Sequence, residues 1–178
     1  KKLKDKLFRM GLLVEQAVEA VTAALFDRDS KKAEAVIKGD QEINIYEIEI
    51  DEFGRELIAL YQPAAVDLRF ITMVLKITND LERMGDQAVN IAEKALIVNQ
   101  EPPLKPYEDL PKMATEVRRM VREALNAFME KDADKAKSIL EQDDMVDRLN
   151  DKIYDDVQKI LETKPQSIRT GVSLIMIS

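Results

Sequence analysis

The sequence predicts an all-α protein: a tandem repeat of two antiparallel three-helix bundles, the second truncated in its third helix. Three observations carry this. The 178 residues include only 5 Gly and 6 Pro, with 46% hydrophobic but 5% aromatic residues. That composition leaves few turns and favours long helices of Ala, Leu, Ile, Val, Glu and Lys. Apolar residues recur at alternating three- and four-residue spacing between the prolines. The pattern before the proline cluster then returns after it without a gap.

The first predicted helix carries Leu7, Met10, Val14, Ala17, Val21 and Ala24 on one stripe. Asp29 or Ser30 can cap the second, whose stripe is Val36, Ile43, Tyr46, Ile50, Phe53, Leu57 and Leu60. Pro63 suits the first turn of the third helix, where a missing N–H does no harm. That helix places Phe70, Val74, Ile77, Leu81, Met84, Ala88, Ile91, Ala95 and Val98 on a seam of about four heptads. The breaks between helices are short, so neighbours fold back on one another. Met73, Met84, Met113 and Met120 fall at helical spacing and are expected in the core.

At a constant offset of 103, Met10, Val14, Val18 and Leu25 fall on Met113, Val117, Val121 and Phe128. Asp29, Lys32, Val36, Asp40 and Ile43 fall on Asp132, Lys135, Ile139, Asp143 and Val146. Two amphipathic helices align at some register by chance, but the matched Asp and Lys positions favour a true repeat. The expected organisation is residues 1–101 for the first bundle, 102–111 for a Pro-rich linker, and 112–178 for the second bundle. Ser178 corresponds to Leu75, so the second bundle is expected to be incomplete.

With no Cys and no His, the chain excludes thiol nucleophiles, Ser-His-Asp triads, disulfides and imidazole metal sites. A metal must take oxygen ligands. The net charge of −7 argues against nucleic acid. Lys1, Lys2, Lys4, Lys6 and Arg9, and Arg118, Arg119 and Arg122, are read as ordinary helix faces, the less favoured alternative being contact with a membrane or an acidic partner. No run is apolar enough for a membrane span or a signal peptide, so a cytoplasmic protein without membrane insertion is expected.

One segment stands out for its chemistry. Asn79, Glu82, Asp86, Asn90 and Glu93 share an arc of roughly 80° on the third helix. Asp80 and Arg83 flank the arc, and the apolar seam lies opposite. Two readings fit this spacing. One is a solvated outer face. The other is a hard-cation site with carboxylate and amide oxygens on successive turns, completed by a second helix, a second chain or water. Glu49, Glu52 and Glu56 on the second helix are candidate contributors. Gly85 in mid-helix costs up to about 1 kcal/mol relative to Ala and allows close approach of a helix or ligand. Asp67 and Arg69, near the start of the third helix, form either a cap-region acid and surface base or a specific pair with a neighbour.

Residues 63–71, Pro-Ala-Ala-Val-Asp-Leu-Arg-Phe-Ile, and 79–93, Asn-Asp-Leu-Glu-Arg-Met-Gly-Asp-Gln-Ala-Val-Asn-Ile-Ala-Glu, resemble the PhoU family of phosphate-signalling regulators. The resemblance covers the whole chain and includes the family's Glu-x-x-x-Asp pattern as Glu82 and Asp86. It implies a non-enzymatic negative regulator of phosphate uptake. Such a protein couples the ATPase of the phosphate ABC transporter to a sensor histidine kinase, peripheral to the inner membrane through these partners, and leaves a homodimer open. It also implies metal on the carboxylate stripes of the third and sixth helices: Glu82 and Asp86 first, then Asp80, Asn90 and Glu93. Fe, Mg, Mn and Zn are the expected metals, with no organic cofactor. Gln87 stands where His is expected in many relatives. Asp67 and Arg69, with Arg83, are implied to serve partner contact or bundle geometry. The alternatives are a metal-independent helical adaptor and, less favoured, a carboxylate-bridged metalloenzyme. The latter usually needs inward-facing Glu-x-x-His motifs.

Overall fold

The computed structural model describes residues 1–104 and 108–178. Six α-helices follow in order: α1 (Lys2–Phe26), α2 (Ser30–Tyr61), α3 (Ala65–Gln100), α4 (Asp109–Glu130), α5 (Ala133–Thr163) and α6 (Ile168–Ile175). A 3₁₀ turn, Pro165–Ser167, leads into α6. No strand occurs among the described residues. α1, α2 and α3 pack on one another as one bundle, and α4 and α5 pack as the start of a second, with α6 against α5 and α3.

The helix boundaries follow local chemistry. The Asp29 carboxylate caps α2 by accepting from the N–H groups of Lys31 at 3.0 Å and Lys32 at 3.2 Å. Its repeat counterpart Asp132 caps α5, accepting from Lys135 N–H at 2.9 Å. Arg28 and its counterpart Lys131 both take left-handed conformations, with φ of 53° and 58°. The Arg28 guanidinium donates to the carbonyls of Val98 at 3.2 Å, Asn99 at 2.9 Å and also Glu101, which closes the C-terminus of α3.

Two boundary expectations are corrected. Pro63 precedes the N-cap residue Ala64 instead of entering α3. It helps to end α2, whose last residue is followed by Gln62 at φ 44°, since the residue before a proline is kept out of the right-handed helical region. The linker expected over 102–111 ends earlier, because α4 begins at Asp109 and takes in Pro111. A proline in the first turn loses no helical hydrogen bond. Pro102 and Pro103 are non-helical, whereas Pro106 lies outside the described residues.

The seams behave as amphipathic helices should. Leu7, Met10, Val14, Val74, Ala95 and Val98 are fully buried. Leu60, expected on the α2 seam, is 66% exposed because it lies in the last turn. Met113 is buried, whereas Met73 is 45% exposed. Met73 lines a groove with Phe70 of α3, Phe128 of α4 and Ile139 and Leu140 of α5. The two bundles do not keep separate cores. Leu125 of α4 packs into the cluster of Leu7, Met10, Ile50 and Val74. Leu110, Met113, Ile153 and Leu174 pack with Val21, Ala24, Ala92 and Val98.

Candidate cation site between α2 and α3

The turn at Gln62–Ala64 sets the register of α2 against α3. Counting back from it brings Gly54 onto Leu75, and Gly85 onto Asp40 and Ile43. A methyl group on Gly85 would meet Asp40 Oδ1 at 3.0 Å and Ile43 Cδ1 at 3.1 Å. Gly85 thus lets α2 come close enough to place a carboxylate directly beside α3, one turn from Glu82 and next to Asp86.

The result is a group of carboxylates on two helices. Asp40 Oδ2 accepts from Asn44 Nδ2 at 2.8 Å. Its other oxygen, Oδ1, is buried and has no hydrogen-bond partner among the described residues. A buried acceptor without a donor is costly and calls for an explanation. Burial holds the Asp40 carboxyl above its ordinary range, with the Asp86 charge adding to the rise and the Asn44 bond opposing it. Glu82 is also held up, first by burial, then by the charges of Asp86, Glu47 and Asp40, and by a hydrogen bond with Asp86. The charges that raise these two groups are those of neighbouring carboxylates. Oxygen donors of this kind suit a hard cation. Among the described residues, though, no three such side chains converge closely enough to hold a metal on their own. Water or further groups would have to complete a coordination shell.

The predicted stripe is therefore only partly assembled. Glu82 and Asp86 come together with α2, and Glu82 is half-buried rather than on the outward face expected of the stripe. Asp80, Asn90 and Glu93 are exposed. Neither Asp80 nor Glu93 is among the charges that act on Glu82, and Asn90 donates to Gln87 at 3.5 Å. The α2 contributors are Asp40 and Glu47, not Glu49, Glu52 and Glu56. Glu49 instead pairs with Lys6 of α1. Sequence spacing ranks acids along one helix but does not say which face meets the next. Asp40 was legible only through the register that Gly85 and the turn impose.

The other predicted positions lie elsewhere. Asp67 is exposed in the first turn of α3. Arg69 is exposed, and its Nε donates to Ala65 O at 3.3 Å within its own helix. Among the described residues, neither forms the specific pair with a neighbouring helix. Arg83 is exposed.

A model of the PhoU domain matches residues 7–95 and 110–178. The chain belongs to the PhoU family. The two matched segments correspond to the two bundles. A PhoU homolog from Aquifex aeolicus, described as a phosphate-specific transport system accessory protein, is 39% identical over 98% of this chain and 79% of its own length. One from Clostridium acetobutylicum with the same description is 36% identical over 89% of this chain and 73% of its own. The crystal structure of PhoU from Pseudomonas aeruginosa superposes with a TM-score of 0.93 at 35% identity, covering 99% of this chain and 85% of that one. The phosphate transport system regulatory protein PhoU from Streptococcus pneumoniae gives 0.89 at 29% identity, covering 99% and 83%.

Proposed function

We propose that the chain is a non-enzymatic negative regulator of phosphate uptake and phosphate-starvation signalling. It acts in the cytoplasm as an adaptor between the ATPase of the phosphate ABC transporter and its sensor histidine kinase. PhoU relatives described as phosphate transport accessory or regulatory proteins support the setting. No described helix is long and apolar enough to cross a membrane; on this reading the chain is held at the inner membrane through its partners. An adaptor works by binding one partner state better than another.

The carboxylate group between α2 and α3 is the place where such a preference would be set. Its carrying observation is the unpartnered, buried Asp40 Oδ1 beside Glu82 and Asp86. Glu82, Asp86 and Asp40 would contribute oxygens to a divalent or trivalent cation whose shell is completed by water, with Glu47 adding charge. Such an ion would neutralise the carboxylates and fix α2 against α3. Without it, Glu82 and Asp40 take up protons more readily than ordinary carboxyls, which is the same demand for positive charge met another way.

Metal analysis of protein purified without chelator tests this. The parent is expected to carry Fe, Mg, Mn or Zn. Glu82→Gln with Asp86→Asn, and Asp40→Asn alone, are expected to lose it while keeping their helical circular dichroism. Equal metal content in parent and variants would place the site elsewhere. A metal-free parent that still binds the transporter ATPase would favour the metal-independent adaptor.

A further inference from the structure

Among the described residues the two bundles meet mainly through α1 against α4 and α3 against α6, and Phe70 of α3 stacks on Phe128 of α4 with ring centroids 5.3 Å apart. The α1–α4 contact has an internal symmetry that the repeat exposes. Glu15 accepts from Arg122, at 3.3 Å for the Nε bond, and Arg118 Nη2 donates to Glu19 at 2.7 Å. At the repeat offset of 103, Glu15 corresponds to Arg118 and Glu19 corresponds to Arg122. The two ion pairs are therefore images of each other under exchange of the repeats, with the charges reversed. Repeat 1 presents two acids, and repeat 2 presents two bases at the same positions.

The packing beside them is equally one-sided. Leu125 Cδ1 sits where a methyl group on Gly11 would be only 2.2 Å away, so Gly11 is the hole for Leu125. The counterpart of this contact is Ala114 with Thr22, and both residues line a cavity instead of filling one another. Knob and hole occur once, on one side of the pseudo-dyad.

We infer that the α1–α4 face is a pairing code, which matches repeat 1 to repeat 2 and rejects either repeat against a copy of itself. If repeat 1 paired with another repeat 1, Glu15 would face Glu19, and Gly11 would face Thr22 with no Leu to fill it. If repeat 2 paired with another repeat 2, Arg118 would face Arg122, and Leu125 would meet Ala114, which has no room for it. Glu15 is only 4% exposed, so an acid opposite it would leave a buried charge uncompensated. Rejection of the wrong partner through like charges and missing volume is how related surfaces keep pairings apart. The code permits two chains to exchange bundles, because exchange preserves the repeat 1–repeat 2 contact. It forbids association through two like faces. The inference is independent of the carboxylate site, which lies between α2 and α3.

Charge exchange in the full chain tests the code. Glu19 and Arg118 carry the main test, because both are partly exposed and their replacement leaves the core intact. Glu19→Arg and Arg118→Glu are each expected to lower Tm by about 1–3 °C at low salt. The exchanged variant, Glu19→Arg with Arg118→Glu, is expected to recover at least half of the summed loss. The differences should close at 1 M salt, where screening acts within about 3 Å. The harsher Arg118→Glu with Arg122→Glu makes both faces acidic. The chain has no cysteine, so spin labels at Gln41→Cys and Asp144→Cys report the distance between α2 and α5 alone. That distance is expected to broaden in the harsher variant and to stay single in the exchanged one. An exchanged variant whose loss equals the sum of the two single losses would overturn the code. So would a harsher variant with an unchanged distance.

Discussion

Asp40 of α2 and Gly85 of α3 are in contact across the helix pair: a methyl group on Gly85 would come within 3.0 Å of Asp40 Oδ1. The glycine is thus a spacing device in mid-helix, and the carboxylate it admits has a buried oxygen with no partner among the described residues.

Gly85→Ala follows directly. Helix propensity alone favours the change by up to about 1 kcal/mol. Overpacking opposes it by about 1–3 kcal/mol. Asp40 is tethered by Asn44, and Ile43 is buried, so neither side chain gives way easily. The expected outcome is a net loss of about 1 kcal/mol in urea unfolding, with weaker retention of metal. A variant more stable than the parent would show that α2 moves aside freely.

The acid limb of stability is expected to depend on Asp109. Its carboxylate accepts from Lys152 of α5 at 2.7 Å and from Lys112 at 3.0 Å. These bonds, Lys152 first, hold it below its ordinary value of 3.8. A carboxyl that is more acidic in the folded chain contributes stability that is fully present above its unfolded value. That contribution is lost as pH falls through the depressed one. Asp109→Asn should therefore lower Tm at pH 7, and the gap to the parent should close as pH falls below 3.8. A gap that stays constant with pH would assign the effect to helix capping or packing.

The two repeat-related caps should contribute alike. Asp29→Ala and Asp132→Ala each remove the side-chain acceptor at the start of α2 or α5. Each is expected to cost about 0.5–2 kcal/mol. They sit on separate bundles with no shared partner, so the double variant should lose about the sum. Chemical denaturation of the three variants gives the comparison. A double loss well beyond the sum would show that the two caps are coupled.

By itself the sequence determined the six helices and their apolar seams. Periodicity is written residue by residue, and Val14, Val74 and Val98 are buried where it puts them. It also showed the repeat and offered Asp29 as a cap, with Asp132 at the matching position; that Asp132 caps α5, and that Arg28 and Lys131 are both left-handed, came from the structure. It picked out Glu82 and Asp86, because their spacing on one helix is a local property. Only the tertiary structure decided which acids on α2 join them. That choice depends on the rotation and register of α2 against α3, which are fixed by close approach at Gly54 and Gly85 and not by any pattern within one helix. The charge-reversed contact of Glu15 and Glu19 with Arg122 and Arg118 was hidden for the same reason. Each residue alone reads as a polar face, and the pairing exists only once α1 and α4 are brought together antiparallel.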